Sequence, residues 1–359
     1  MRIVVGPDVK IARMIPASLH PRHPGDWQQQ LAQAITSPRE LLETLGLDVS
    51  GAGAPLAAAA ERAARGFALR VPASYVARMR RGDPADPLLR QVLPLGEELS
   101  EVAGFVPDPL GERTAVRASG LLQKYRGRAL LIATGACAIH CRYCFRREFP
   151  YEQHLGGARL RSALAEIAAD PSLVEIILSG GDPLTLTDAR LATISDALSR
   201  VAHVKRLRIH TRLPVVLPAR VSEGLQRWLS SLPWPVVVVL HANHPQEIDE
   251  EVRAACKRLA AAGATLLNQS VLLKDINDAV ATLAELSEAL FAAGVLPYYL
   301  HLLDRVRGSA HFEIAEGDAR ALMGELAARL PGYLVPRLVR EAAGAASKLP
   351  LTPIFHGGL

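Results

Sequence analysis

The chain has 359 residues, 49% of them hydrophobic, which is enough for a sizeable core in one large domain or two smaller ones. Its 41 Lys and Arg against 36 Asp and Glu leave a net charge of +5, and no run of like charge resembles a binding tail. With only 7 Phe, 7 Tyr and 3 Trp, an open stacking platform for single-stranded RNA is excluded. No apolar stretch reaches the roughly eighteen residues of a membrane span. Met1-Arg-Ile-Val-Val-Gly-Pro has no long apolar core of a secretory signal. A cytoplasmic protein without a membrane or nucleic-acid partner is expected.

Residues 1–105 read as a mostly helical, partly irregular accessory region. Asp26-Trp-Gln-Gln-Gln-Leu-Ala-Gln-Ala-Ile-Thr has apolar positions at helical spacing. Ser37-Pro-Arg-Glu40 is a capping box with proline at the first helical position. An alanine-rich helix over 56–65 and a short helix from Tyr75 follow, and Pro84 to Pro94 reads as an irregular connector. No catalytic constellation stands out in this region.

Residues 106–320 change to strand–loop–helix units. Apolar, β-rich runs fall at 129–133, 174–178, 206–210, 235–240, 264–273 and 295–303, with helical stretches at 158–169, 188–202, 220–230, 247–262 and 278–293. Such alternation predicts an α/β fold with a parallel sheet and right-handed crossovers. Nearly continuous apolar strands predict a sheet covered on both faces. A partial (β/α)6 TIM-type barrel and an open doubly wound sheet both fit. In either, function collects at the carboxyl ends of the strands.

After the first of these strands comes Cys137-Ala-Ile-His-Cys141-Arg-Tyr-Cys144-Phe-Arg-Arg, which holds three of the chain's four cysteines. Disulfides three or four positions apart demand strained geometry. Zinc on these cysteines plus His140 is an alternative, although structural zinc usually spaces its ligands as two pairs. Three thiolates on one loop suit three corners of an iron–sulfur cubane whose fourth iron stays open to a small molecule. Cys256 stands alone on a helix and reads as a small apolar residue. The other strands end in Ser179-Gly-Gly-Asp-Pro183, His210-Thr-Arg212, His241-Ala-Asn-His244, Asn268-Gln-Ser270 and Asp304-Arg-Val-Arg. A single strand-end His or Gly-Gly-Asp is usually structural, but polar groups at six successive strand ends point to one site.

The cysteine spacing after a first barrel strand resembles the radical S-adenosylmethionine superfamily. Lys124-Tyr-Arg-Gly-Arg, Cys-Arg-Tyr-Cys-Phe-Arg-Arg, Ser-Gly-Gly-Asp-Pro-Leu, His-Thr-Arg-Leu-Pro, Asn-Gln-Ser-Val-Leu-Leu-Lys-Asp and Ser347-Lys-Leu-Pro together resemble lysine 2,3-aminomutases. The likeness is to the short bacterial branch that makes β-lysine for modifying elongation factor P.

The resemblance implies a [4Fe–4S] cluster on Cys137, Cys141 and Cys144, with S-adenosyl-L-methionine at the open iron. It implies that Lys348, in a C-terminal segment over 321–359, carries pyridoxal 5′-phosphate. Gly180, Gly181 and Asp182 would receive the methionine end of the cofactor. Arg212 would bind the pyridoxal phosphate group, Gln269 would contact that cofactor, and Tyr125 would line its site. Arg146 would pair with the carboxylate of L-lysine, and Asp304 with Glu341 would grip its ε-ammonium. The implied reaction moves the α-amino group of lysine to C3, driven by an electron from a donor such as flavodoxin or ferredoxin.

The chain departs from the longer clostridial enzymes in carrying Glu341 for an aspartate and Lys124 for an arginine. With one cysteine left over, a zinc site on extra C-terminal cysteines is not expected, and a homodimer stays open as an assembly. The same shift on arginine or glutamate, an iron–sulfur redox or sensor protein, and a tRNA-modifying radical enzyme are the alternative readings. The acidic pair disfavours glutamate, and no basic RNA-binding segment is evident.

Overall fold

The computed structural model describes residues 27–118 and 120–355, so Asp26 at the start of the first expected helix lies outside the described residues. Among the described residues ten strands form one sheet: β1 (Val116–Ala118), β2 (Leu121–Tyr125), β3 (Arg128–Thr134), β4 (Glu175–Gly180), β5 (Arg206–Thr211), β6 (Val236–Leu240), β7 (Ala264–Val271), β8 (Leu296–His301), β9 (Arg337–Arg340) and β10 (Leu349–Pro350). Their order in the sheet is their order in the chain. β3 to β9 are parallel, and antiparallel strands extend both edges.

A sequential parallel order has no point where the winding reverses, so the doubly wound alternative is ruled out. The arrangement is a singly wound sheet in sequential strand order, which the partial-barrel expectation requires. All six apolar runs are strands. The short β9 and the edge strands β1, β2 and β10 escaped the sequence reading, since two to five residues carry little periodicity. The hairpin from β2 to β3 pairs Tyr125 with Arg128 across Arg126-Gly127, and Gly127 supplies the positive φ of 76° that such a tight turn needs.

Helices Gly157–Ala169, Asp188–Ser199, Glu223–Ser230, Glu250–Ala261, Val280–Ala292 and Glu316–Arg329 link successive parallel strands. Several start where a side-chain cap allows. Thr187, Ser222 and Asp249 accept from the backbone N–H three residues on. The last two caps set the starts at Glu223 and Glu250, three residues later than apolar spacing suggests. Period-two alternation sorts β5. Leu207 and Ile209 enter the main core, whereas Arg208 and His210 face a cavity. Thus only one face of β5 is covered by helices, and its polar positions belong to the other.

The N-terminal region shares that main core through Leu41, Leu69, Tyr75 and Leu88. Ser37 caps helix Pro38–Thr44 by accepting from the Glu40 N–H at 3.3 Å. The expected connector contains a helical turn, Pro87–Arg90, because Asp86 accepts from the N–H groups of Leu88 and Leu89 at 2.9 Å. The helix from Tyr75 is a single turn, Ala73–Val76.

This region also holds the cysteine loop, which has no regular structure of its own. The His140 N–H donates to Arg70 O at 3.0 Å and the Arg142 N–H to Gln91 O at 2.9 Å. Glu98 is buried and accepts from Arg142 Nε at 2.8 Å and from Arg147 Nη2 at 2.7 Å. Removing one partner of a buried ion pair typically costs about 3–5 kcal/mol because the other charge is stranded. Glu98→Gln is therefore expected to lower unfolding stability by about 3–5 kcal/mol in denaturant titration, with Arg142 and Arg147 left facing an uncharged partner.

Candidate active site

The carboxyl ends of the strands open on one cavity of about 550 Å³, lined from β2 round to Lys348. The thiols of Cys137, Cys141 and Cys144 are free and all line it. Burial and the crowding of the other sulfurs push the Cys137 thiol up and the Cys144 thiol up to about 11. Among the described residues no three His, Cys, Asp or Glu are grouped to chelate a single metal ion. His140 Nδ1–H donates to Ala68 O at 2.8 Å, and its ring stacks on Phe67.

The Gly-Gly-Asp turn after β4 is fitted to the start of this loop. The Gly181 N–H donates to Thr134 O at 2.7 Å and the Asp182 N–H to Ala136 O at 2.8 Å. A Cβ on Gly180 would lie 2.3 Å from Thr134 O, and one on Gly181 would lie 2.3 Å from Ala136 O. The glycines are needed because two backbones touch here. Asp182 has structural partners. Its carboxylate accepts from Leu184 N, Thr211 Oγ1, Arg212 N and Leu213 N at 2.7–3.1 Å and so locks the β4 and β5 turns together. Burial pushes its pKa up against those four bonds.

Across the cavity, charged side chains alternate in sign. Arg146 donates to both oxygens of Glu112, at 2.6 and 2.9 Å, and to Ser179 Oγ at 3.1 Å. Lys124 Nζ bridges Glu112 Oε1 at 3.1 Å and Glu341 Oε2 at 3.0 Å. Glu341 Oε1 accepts from Lys348 Nζ, which also lies 3.5 Å from His301 Nε2. Burial alone would raise the Glu341 carboxyl, but the Lys348 and Lys124 ammoniums outweigh it and hold the group well below the usual range. Burial depresses the Lys348 ammonium, opposed by Glu341. Asp304 is pushed up to about 7 by burial and by the Glu341 charge. Burial, with the Lys348 charge, drives His301 down to about 3, so its ring is neutral.

Every expected site residue lines this one cavity: the three cysteines, Gly180, Gly181, Asp182, Tyr125, Arg146, Arg212, Gln269, Asp304, Glu341 and Lys348. Arg212, expected at the phosphate, has several protein partners in this structure. Its Nη1 donates to Cys141 Sγ at 2.7 Å and its Nη2 to Gln91 at 2.7 Å, Glu247 at 2.9 Å and Tyr75 at 3.1 Å. Its Nε is buried without a partner. Five arginines line the cavity, and Arg146, Arg147, Arg208 and Arg212 each pair with a carboxylate. Arg128 on β3 pairs with none among the described residues and lies over the Tyr125 ring at 4.7 Å. Sequence reasoning passed over Arg128 and Glu112. The hairpin glycine beside Arg128 was the available signal for the former, and nothing local marks the latter.

The residues fit the implied cofactors on the structure's own terms. Gln269 Nε2 and His210 Nε2 are buried without partners on the cavity wall, which is what a missing polar ligand leaves behind. A half-buried lysine with a depressed pKa lines the same cavity as three free thiols. These features define an α/β enzyme that works with bound cofactors. No family model matches the chain. It is 50% identical over 327 residues to an L-lysine 2,3-aminomutase of Escherichia coli, covering 91% of this chain and 94% of that protein. It is 43% identical to the Haemophilus influenzae L-lysine 2,3-aminomutase over 94% of this chain and 98% of the relative. The Clostridium subterminale L-lysine 2,3-aminomutase is 34% identical, covering 92% and 78%. A solved radical SAM methyltransferase from Sphaerobacter thermophilus overlaps 61% of this chain and 68% of its own at a TM-score of 0.43 and 18% identity, too loosely to bear on the chemistry. The chain belongs to the L-lysine 2,3-aminomutase family.

Because the Gly181 Cβ direction meets the Ala136 carbonyl, Gly181→Ala is expected to displace the cysteine loop. Overpacking of this kind costs about 1–3 kcal/mol. The variant should retain less iron than the wild type after anaerobic reconstitution, measured by iron and sulfide content per chain.

Proposed function

We propose that the cavity moves the α-amino group of L-lysine to C3, with a [4Fe–4S] cluster on Cys137, Cys141 and Cys144, S-adenosylmethionine at its open iron, and pyridoxal phosphate on Lys348. The observation that carries this reading is the pairing of Lys348 with Glu341 in the cavity that three free thiols also line, although some 200 residues of chain separate Lys348 from the thiols. The cluster supplies the electron that starts radical chemistry, and pyridoxal phosphate supplies the carrier for the migrating nitrogen.

The chain's own residues bind and orient. Arg146, fixed by Glu112, Ser179 and Gly180, keeps one Nη2–H to offer a substrate carboxylate. Arg128 takes the phosphate group, as the one cavity arginine without a carboxylate partner among the described residues. Gln269 and His210 offer their unpartnered nitrogens to the bound groups. Asp304 and Glu341 hold the ε-ammonium of lysine. Lys348 gives Glu341 a cation in the free protein, and once Lys348 carries the cofactor the substrate's ammonium replaces that charge. Two carboxylates at this end favour a cationic substrate and oppose glutamate. The electron comes from a small donor of the flavodoxin or ferredoxin kind. The β-lysine serves elongation factor P modification, a reading supported by likeness to the short bacterial branch.

Anaerobic turnover of lysine, arginine and glutamate, with 5′-deoxyadenosine measured alongside, tests the scheme. Product from lysine is expected, product from glutamate alone would remove the lysine reading, and cluster without deoxyadenosine would favour a redox or sensor protein. In Lys348→Ala the pyridoxal absorption of the holoprotein is expected to vanish, and its survival would take Lys348 out of the role.

Asp304 also sets a pH dependence. Its carboxyl is neutral below about 7 and ionised above, so grip on the ammonium strengthens as pH rises through that value. kcat/KM for lysine should therefore fall by about tenfold per pH unit on the acid side, since that ratio reports the free enzyme's groups. Asp304→Asn should lower kcat/KM and abolish this limb. Persistence of the limb in the variant would assign it to another group.

A further inference from the structure

We infer that Arg212 is a positioning and tuning residue for the iron–sulfur cluster: its guanidinium, held against the sulfur of Cys141 by a buried carboxylate, raises the cluster's reduction potential. This rests on the reading that the three cysteines hold a cluster. Arg212 follows β5 and is 6% exposed, so its charge is fixed in a medium of low polarity. One terminal nitrogen, Nη1, donates to Cys141 Sγ at 2.7 Å. The other donates to Glu247, Gln91 and Tyr75, which fixes the fork from behind. Glu247 is fully buried and is held in turn by Asn243 N at 2.9 Å, His244 N at 3.1 Å and Gln91 Nε2 at 3.2 Å. The Arg212 N–H, moreover, is anchored on Asp182 Oδ2 at 2.7 Å, so backbone and side chain are both locked.

The order of charges matters. The guanidinium touches the sulfur, and the carboxylate sits on its far side. An electron added to the cluster increases negative charge next to the cation, which stabilises the reduced state, and hydrogen bonds to cluster sulfurs act in the same direction. Removing Arg212 leaves the Glu247 carboxylate unopposed and should make reduction harder. Removing the Glu247 charge leaves the guanidinium uncompensated and should make reduction easier. A residue that merely supported the loop would shift both variants the same way.

The test is a redox titration of the anaerobically reconstituted holoprotein, followed by electron paramagnetic resonance, with iron and sulfide content measured for each variant. Arg212→Met is expected to weaken the one-electron reduction equilibrium at least tenfold, a fall of about 59 mV or more. Arg212→Lys keeps a charge without the fork and should lie nearer the wild type. Glu247→Gln should shift the potential upward. Equal potentials in all variants, or a fall in both Arg212→Met and Glu247→Gln, would overturn the inference. If Arg212→Met holds no iron, Glu247→Gln decides: a rise supports the inference and no rise removes it. A wild type that binds no iron would instead remove the cluster reading beneath it.

Discussion

The site depends on one ionic chain, Arg146–Glu112–Lys124–Glu341–Lys348, that spans the gap an open sheet leaves between its first and last strands. Among the described residues, backbone hydrogen bonds do not join β1 to β10. Lys124 on β2 and Glu341 after β9 meet instead through their side chains at 3.0 Å. A buried charge is tolerated only with a partner, and each member of the chain has one on at least one side. The order also divides the labour. Arg146 ends the chain at the cysteine loop, and Lys348 ends it on the far side, where its ammonium meets Glu341.

The two departures from the clostridial pattern, Lys124 and Glu341, touch each other in this structure. Glutamate is one methylene longer than aspartate, and lysine presents a compact ammonium where arginine presents a broad fork. The longer carboxylate reaches Lys124 with one oxygen and Lys348 with the other. What read as two separate changes in the sequence is thus one contact in space. Three cations face two carboxylates along the chain, and Asp304 supplies a third carboxylate when it ionises near pH 7.

Much of this was legible in the sequence where chemistry follows local pattern. Apolar runs gave the six strands linked by helices, and the cysteine spacing and strand-end motifs gave the cavity lining. Contacts made only in three dimensions were not legible. Tyr75, Gln91 and Glu98 come from a region with no evident constellation, and Glu112 from the chain just before β1, yet they hold Arg212, the cysteine loop and Arg146. A lone glutamate in irregular chain has no period or spacing to betray it. Arg212 shows the related difficulty. A guanidinium suits a phosphate, a carboxylate and a sulfur alike, and only the structure tells which neighbours already occupy the fork.

The same distinction applies to the charge of the cavity wall. Lys124, Arg128, Arg146, Arg147, Arg208, Arg212 and Lys348 all line the cavity. Of their carboxylate partners, Glu98, Glu175 and Glu247 stand behind the wall and do not line it. The cavity surface is therefore more cationic than the pairing suggests, which suits ligands bearing phosphate and carboxylate groups. His241 and His301, both driven down to about 3 by burial and by neighbouring cations, stay neutral and add no further charge. The oxygens of Asp182 are taken up by the β4 and β5 turns. The carboxylates left on the cavity wall are Glu112, Asp304 and Glu341.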